Sequence, residues 1–132
     1  MTTSDSSAEG QTDVSGEGTE APFDDVITLS TSTDEDGVVT VTVVGEVDTF
    51  TAPGLRSTLD SQLEQQPREL VIDLSGVQFL GSAGLAVLVE TQKSSRSRDV
   101  GLRLIASTRA VTRPLEVTGL IDLFTIADST AR

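Results

Sequence analysis

The stretch that most constrains the fold is Leu70–Leu74, LVIDL, which is apolar at every position except the aspartate. A short and nearly continuous apolar run is typical of a central strand that is covered on both faces. An earlier run, Val38–Val44 (VVTVTVV), alternates valine with threonine. That period of two is typical of a strand with one buried face. The sequence therefore predicts a sheet with at least one strand in its interior.

The segments around these two strands complete an α/β pattern. VITLS, starting at Val26, predicts a first strand, and the Asp-Gly pair in DEDG predicts a hairpin turn. Leu55, Leu59 and Leu63 form one apolar stripe on a helix whose N-cap would be Thr51. We predict helices at 52–65 and 83–94 and in RAVTRPLEVTG up to Gly119, with further strands at 101–107 and 123–127. This order predicts an α/β sandwich with a mixed sheet, helices packed on it and an N-terminal hairpin.

Three chain segments leave the carboxyl ends of the predicted strands, after Val44, Leu74 and Ala106. If those strands are parallel, the three segments meet at one end of the sheet, where open α/β folds place their sites. We therefore expect GEVD (Gly45–Asp48) and GSAG (Gly81–Gly84) to be neighbours in space.

Composition excludes most catalytic chemistry. The chain has 132 residues, which favours one domain, and it contains no Cys and no His. A Ser-His-Asp triad and a cysteine-based zinc site therefore cannot be built. A Ser-Lys dyad would have to use Lys93, which is the single lysine. We expect a protein that is not an enzyme and that has no metal and no cofactor.

Charge divides the chain into two parts. The formal net charge is −12, and residues 1–25 hold seven acidic residues and no basic ones. This part is rich in Ser, Thr, Gly and Glu, so we predict a disordered acidic tail at 1–25 and a folded domain at 26–132. Such a charge disfavours direct contact with nucleic acids or anionic membranes. With no secretory signal or membrane-spanning run, we expect a cytoplasmic protein.

Ser82 is the residue whose role most affects the function predicted from the sequence. It lies at or beside the start of the second helix, where a serine often caps the helix. A nucleophile elbow requires a glycine two residues before the serine, but Leu80 is there, and a P-loop would have lysine at the place of Ser82. The other open interpretation is a phosphoryl acceptor. A phosphate there would be tolerated by the helix N-terminus and would add charge beside Glu46 and Asp48.

The order and spacing of these motifs are similar to those of a known family. GEVD followed by a helix, then LVIDLSGVQFLGSAGLAVLVE, then GLRLIAS and VTRPLEVTGLIDLF, resembles the STAS-domain anti-sigma factor antagonists of bacteria. The resemblance extends from about residue 26 to residue 127. It implies a regulator that binds an anti-sigma factor, often a serine kinase, and thereby frees a sigma factor. It also implies release of the partner by serine phosphorylation and restoration by a PP2C-type phosphatase.

The same resemblance assigns roles to residues. Ser82 matches the phosphorylated serine, and Asp48 matches the acid that closes the family's G-E-[LV]-D motif. Many members have Asp where this chain has Gly81, and Ala83 replaces a frequent second serine. The family's C-terminal helix is expected to be missing or strongly shortened. The expected partner-binding residues are Gly45, Glu46, Val47, Asp48, Gly81, Ser82, Ala83, Gly84 and Leu85.

Other functions of a STAS domain are alternatives. The domain could serve a stressosome-like scaffold or a transport complex. A nucleotide-sensing role is the other alternative, because glycine-rich turns between strand and helix can hold phosphates. No Lys or Arg stands next to Gly81–Gly84, which weakens the nucleotide hypothesis.

Overall fold

The computed structural model describes residues 27–128, so the predicted acidic tail and the predicted shortening of a C-terminal helix concern residues outside the described range. The described residues form five strands, three α-helices and one short 3-10 helix. In chain order these are β1 (Ile27–Thr33), β2 (Val38–Val47), α1 (Ala52–Glu64), β3 (Glu69–Leu80), α2 (Ser82–Ser97), β4 (Gly101–Ile105), α3 (Arg109–Val117), the 3-10 helix (Leu120–Leu123) and β5 (Thr125–Ala127).

The sheet is mixed, and its strands lie in the order β1-β2-β3-β4-β5. β1 pairs antiparallel with β2, while the β2–β3, β3–β4 and β4–β5 pairs are parallel. The hairpin turn forms where the Asp-Gly signal predicts it. Asp34 Oδ1 accepts hydrogen bonds from the Asp36 and Val38 amides at 2.8 and 3.0 Å, and Gly37 has a φ of +84°. The predicted α/β sandwich with a mixed sheet is confirmed.

One large apolar cluster holds the helices on the sheet. The predicted leucine stripe of α1 is fully buried, together with Leu88 of α2 and Leu115 of α3. Side chains from alternate positions of β2 and β3 form the floor of this cluster. Val71, the second residue of the LVIDL run, points to the other face, where it packs in a small cluster with Val38 and Ile105. Fully burying one leucine side chain contributes about 1.5–3 kcal/mol, so the cluster is the main source of stability.

β2 and β3 are longer than the sequence pattern predicts. β2 continues past Gly45 to Val47, and β3 continues past Leu74 to Leu80. The pairing register shifts between Thr42 and Val44 and again between Gly45 and Glu46, as in β-bulges, and Gly45 has a φ of +116°. The extra residue at a bulge lets a strand change its alternation without ending.

This extension corrects one expectation about the end of the sheet. The last residue of β4, Ile105, pairs with Asp73, seven positions before Leu80. β4 therefore stops well short of the end that β2 and β3 share. The segment after Ala106 does not join GEVD and GSAG at that end, contrary to the prediction.

The helices differ from the predictions mainly at their ends. α2 starts one residue earlier than predicted, at Ser82, and continues to Ser97. α3 contains Pro114, which a helix tolerates poorly because proline lacks the backbone N–H. Gly119 follows the end of α3 with a φ of +76°, as predicted for a glycine that terminates a helix.

None of the helices in the range 27–128 combines the length and the apolar character needed to span a bilayer.

Candidate functional site

The carboxyl ends of β2 and β3 bring the two predicted motifs together. Glu46 pairs with Phe79, and Val47 pairs with Leu80. The Gly81 amide, just beyond β3, donates to the Val47 carbonyl oxygen at 2.9 Å. GEVD and GSAG are therefore adjacent, as the parallel arrangement predicted. We call residues 45–48 and 81–84 the β2–β3 rim.

Ser82 is the first residue of α2, and its side chain is exposed. The N-cap is Gly81, which has an extended backbone and no side chain with which to cap. Within the described part of the chain, the Ser82 hydroxyl has no hydrogen-bond partner. Capping is therefore not the role of this hydroxyl, and it is accessible to another molecule.

The backbone around Ser82 is electropositive. The first hydrogen bond of α2 runs from the Leu85 amide to the Gly81 carbonyl oxygen at 3.0 Å. The amides of Ser82, Ala83 and Gly84 precede that bond and have no acceptor within the helix. These amides and the helix dipole favour negative charge at this point by about 0.3–1 kcal/mol.

Gly84 brings the first turn of α2 close to the end of β2. A Cβ at this position would lie 2.5 Å from Val47 Cγ1 and 2.7 Å from Leu80 Cδ1. Val47 is fully buried, so it has little freedom to move. The structural role of Gly84 is therefore close packing of the helix against the strand.

Asp48 organises the turn between β2 and α1. Its Oδ1 accepts hydrogen bonds from the amides of Phe50 and Thr51 at 2.9 and 3.0 Å. The Thr51 hydroxyl accepts from the Asp48 amide at 2.9 Å and donates to the Glu46 carbonyl oxygen at 2.8 Å. Thr51 is the N-cap residue as predicted, although its side chain bonds backward to the rim instead of capping α1. The acid of the GEVD motif thus fixes the shape of the rim.

We expect Asp48→Ala to lower the free energy of unfolding by about 1–2 kcal/mol, because two amides of the turn lose their acceptor. Asp48→Asn should lose less, since the amide oxygen can accept the same two bonds. Urea unfolding of the two variants and the unchanged chain measures both effects. Equal losses in the two variants would show that the negative charge matters more than the turn.

The predicted site residues differ in their accessibility. Glu46 and Ser82 are exposed, and Gly45, Asp48, Gly81 and Ala83 are half-buried. Val47, Gly84 and Leu85 are buried. These three pack against the core, and the assignment of all nine residues to partner binding stays a prediction.

Two exposed aromatic residues beside the rim were missed by the sequence reasoning. The exposed fractions are 81% for Phe50 and 50% for Phe79. The chain has four phenylalanines and neither Trp nor Tyr. That scarcity was the available signal, because an aromatic residue next to each motif is then unusual.

The charged side chains of the rim are acidic and lack cationic partners within the described range. The ion pairs found there are Arg56–Glu90, between α1 and α2, and Arg103–Glu69, between β4 and β3. Neither pair includes Glu46 or Asp48. Across residues 27–128, no three His, Cys, Asp or Glu side chains are grouped so that they could hold a metal ion. The rim therefore presents an exposed hydroxyl, free helix amides and two carboxylates.

Comparison with known proteins identifies the family. The STAS domain family profile matches residues 31–132. The anti-sigma-F factor antagonist RsfB of Mycobacterium tuberculosis is 35% identical over 100 residues, which cover 76% of this chain and 80% of RsfB. The anti-sigma-B factor antagonist of Staphylococcus aureus is 30% identical over 99 residues, which cover 75% of this chain and 92% of that protein.

A solved structure supports the same assignment. The crystal structure of an anti-sigma factor antagonist from Mycobacterium paratuberculosis is 38% identical in sequence and superposes with a TM-score of 0.75. The superposition covers 85% of this chain and 92% of that one. With the fold, the rim and these relatives in agreement, the chain belongs to the STAS-domain family of anti-sigma factor antagonists.

Proposed function

We propose that this protein binds an anti-sigma factor of the serine-kinase type through the β2–β3 rim, and that phosphorylation of Ser82 ends this binding. While bound, the anti-sigma factor cannot hold its sigma factor. A PP2C-type phosphatase removes the phosphate and restores binding. The single observation that carries the proposal is the exposed Ser82 hydroxyl, without a hydrogen-bond partner in the described structure, at the first position of α2.

The reaction at Ser82 is a phosphoryl transfer from ATP. Ser82 Oγ attacks the γ-phosphorus, a new O–P bond forms, and the bond to the leaving ADP breaks. The hydroxyl proton passes to a base on the kinase, since the chain has no histidine to accept it. Removal is hydrolysis, in which water supplies the oxygen of the released inorganic phosphate.

A phosphate at Ser82 has opposite consequences for the domain and for its partner. It adds about −1.5 to −2 charges at neutral pH. The free amides of the first turn and the helix dipole stabilise that charge within the domain. A partner that closes over the rim would have to desolvate the same dianion beside Glu46 and Asp48. The modification therefore leaves the domain folded and lowers its affinity for the partner.

The test is phosphate mapping with the full chain, ATP and each serine-kinase anti-sigma factor of the source bacterium. We expect one labelled residue, Ser82, and no label at this position in Ser82→Ala. That variant should unfold within about 0.5 kcal/mol of the unchanged chain, because the Ser82 hydroxyl makes no hydrogen bond within residues 27–128. It should also retain the partner in the presence of ATP.

The switch would be refuted if a different serine were labelled and Ser82→Ala still released its partner in the presence of ATP as fast as the unchanged chain does. Treatment of the phosphorylated chain with a PP2C-type phosphatase tests the reverse step. Recovery of full partner binding is the expected result, and binding that stays weak after complete dephosphorylation would contradict it.

A further inference from the structure

Two large aromatic side chains flank the rim in a chain that has few of them. The structure describes three phenylalanines, and Phe124 lies in the core. The other two, Phe50 and Phe79, are the exposed ones. Single exposed apolar residues are ordinary on protein surfaces, but two aromatic side chains at one functional edge are typical of a protein-binding surface.

The position of Phe79 is tied to Ser82. Phe79 pairs with Glu46 across the sheet, and its ring lies over the backbone of Gly81. A Cβ on Gly81 would be 3.0 Å from Phe79 Cε2 and 3.3 Å from Cζ. Gly81, the residue immediately before Ser82, therefore leaves room for the ring.

The position of Phe50 is tied to Asp48. The Phe50 amide donates to Asp48 Oδ1 at 2.9 Å, so the backbone that carries this ring is held by the turn. The ring itself is exposed to solvent. An aromatic side chain has two side-chain torsions and a large apolar area, so it binds with a low cost in conformational entropy. A fixed backbone lowers that cost further.

We infer that Phe50 and Phe79, which adjoin the β2–β3 rim in the chain, are the apolar anchors of the partner-binding surface. The inference rests on the proposed function, because the occupant is the anti-sigma factor. The surface of the anti-sigma factor that contacts the rim has apolar pockets for the two rings and basic side chains opposite Glu46 and Asp48.

The charge of the rim argues against a second copy of this chain as the occupant. A symmetric dimer places the same patch against itself, so Glu46 and Asp48 would face their own copies. Like charges brought together in an interface oppose binding. Aromatic anchors with an acidic edge instead fit a partner that is basic at the corresponding edge.

The experiment measures the affinity of the full, unphosphorylated chain for the anti-sigma factor that labels Ser82. We expect Phe50→Ala and Phe79→Ala each to raise Kd about tenfold or more, as central aromatic residues do in other interfaces. Phe50→Ser is a second variant, because an 81% exposed ring contributes little to folding. Its thermal unfolding midpoint should match that of the unchanged chain.

Leu123→Ala is the matched control. Leu123 is 43% exposed, and its carbonyl oxygen accepts a hydrogen bond from the Gln92 side chain. Gln92 lies ten residues along α2 from Ser82, which is about 15 Å. We expect this loss of an exposed apolar side chain, away from the rim, to leave Kd unchanged.

The outcomes separate this inference from the proposed function. If Ser82→Glu releases the partner while both phenylalanine variants bind as the unchanged chain does, the anchor assignment is overturned and the switch stands. If the unchanged chain binds no anti-sigma factor, both are overturned. Self-association that Phe50→Ser abolishes would replace the anti-sigma factor with a second copy and would also overturn the assignment.

Discussion

Ser82→Glu is expected to raise the Kd for the anti-sigma factor by at least about tenfold, which corresponds to about 1.4 kcal/mol. The substitution places a carboxylate at the first position of α2, beside Glu46 and Asp48. In the free chain, water screens the repulsion among these charges. When a partner excludes the water, the effective dielectric constant falls and the same repulsion becomes several times larger. A phosphate carries more charge than glutamate, so phosphorylated Ser82 should weaken the complex further.

The measurement is a titration of the anti-sigma factor with the unchanged chain, Ser82→Glu and the phosphorylated chain. Ser61→Glu is the control for the added charge. Ser61 is exposed on α1, thirteen residues along the chain from Asp48 of the rim, and the substitution changes the net charge by the same amount. Its affinity should stay within about twofold of that of the unchanged chain.

Two results would contradict the charge mechanism. Equal weakening by Ser61→Glu would show that net charge, and not the location of the charge, controls binding. Normal binding by Ser82→Glu together with weak binding by the phosphorylated chain would show that one added carboxylate at this position does not release the partner. The free energies of unfolding of the unchanged chain, Ser82→Glu and the phosphorylated chain should agree within about 0.5 kcal/mol, because the first turn of a helix tolerates an acid.

Elements with a local signal could be predicted from the sequence. The alternation in VVTVTVV gave β2, the Asp-Gly pair gave the hairpin, and the leucine stripe gave α1 within one residue of its observed end. In each case the residues that form the element also contain the pattern that predicts it. The parallel order of the strands then followed from the helices between them, and this was enough to predict that GEVD and GSAG are neighbours.

The extension of β3 had no such signal. SGVQFL mixes a glycine and polar residues with apolar ones, because beyond Asp73 the strand has left its neighbour β4 and pairs only with β2. Its hydrogen bonds come from residues about thirty positions earlier, and no local pattern shows them. Gly45, interpreted as the end of β2, is part of an irregular stretch in which the register shifts.

The proximity of the two motifs was predicted, but the exposure of their individual residues was not. Topology placed Ser82 beside Asp48, whereas the division of the rim into exposed and buried residues depends on packing. Val47 and Leu85 are part of the core, and Gly84 is small because α2 crosses directly over Val47. Phe50 and Phe79 follow no periodic pattern, so only their scarcity in the composition points to them.

Gly84→Ala is expected to lower the free energy of unfolding by about 2 kcal/mol. In an unhindered helix this change would stabilise by up to about 1 kcal/mol, because alanine has the higher helix propensity. Here the new methyl group would lie 2.5 Å from Val47 Cγ1 and 2.7 Å from Leu80 Cδ1. Overpacking of a core typically costs about 1–3 kcal/mol. Relief by a shift of α2 would also move Ser82 relative to Asp48.

Gly54→Ala is a control at the equivalent position of another helix. Gly54 is the third residue of α1, as Gly84 is the third residue of α2. A Cβ at Gly54 would have no atom within 4 Å apart from its chain neighbours and the backbone of its own helix. The same substitution should therefore stabilise the domain by up to about 1 kcal/mol. Opposite signs at the two glycines would separate packing from helix propensity.

The double variant Gly84→Ala/Val47→Ala tests whether the clash with Val47 is the cause. Removing the valine methyl groups opens space for the new alanine, although Val47→Ala by itself leaves a cavity in the core. The loss of stability in the double variant should therefore be smaller than the sum of the two single losses by about 1 kcal/mol. Strict additivity in urea unfolding would show that Val47 does not limit the residue at position 84. If Val47 does limit that residue, the double variant should recover binding to the anti-sigma factor along with stability, because the shape of the rim depends on how closely α2 approaches β2.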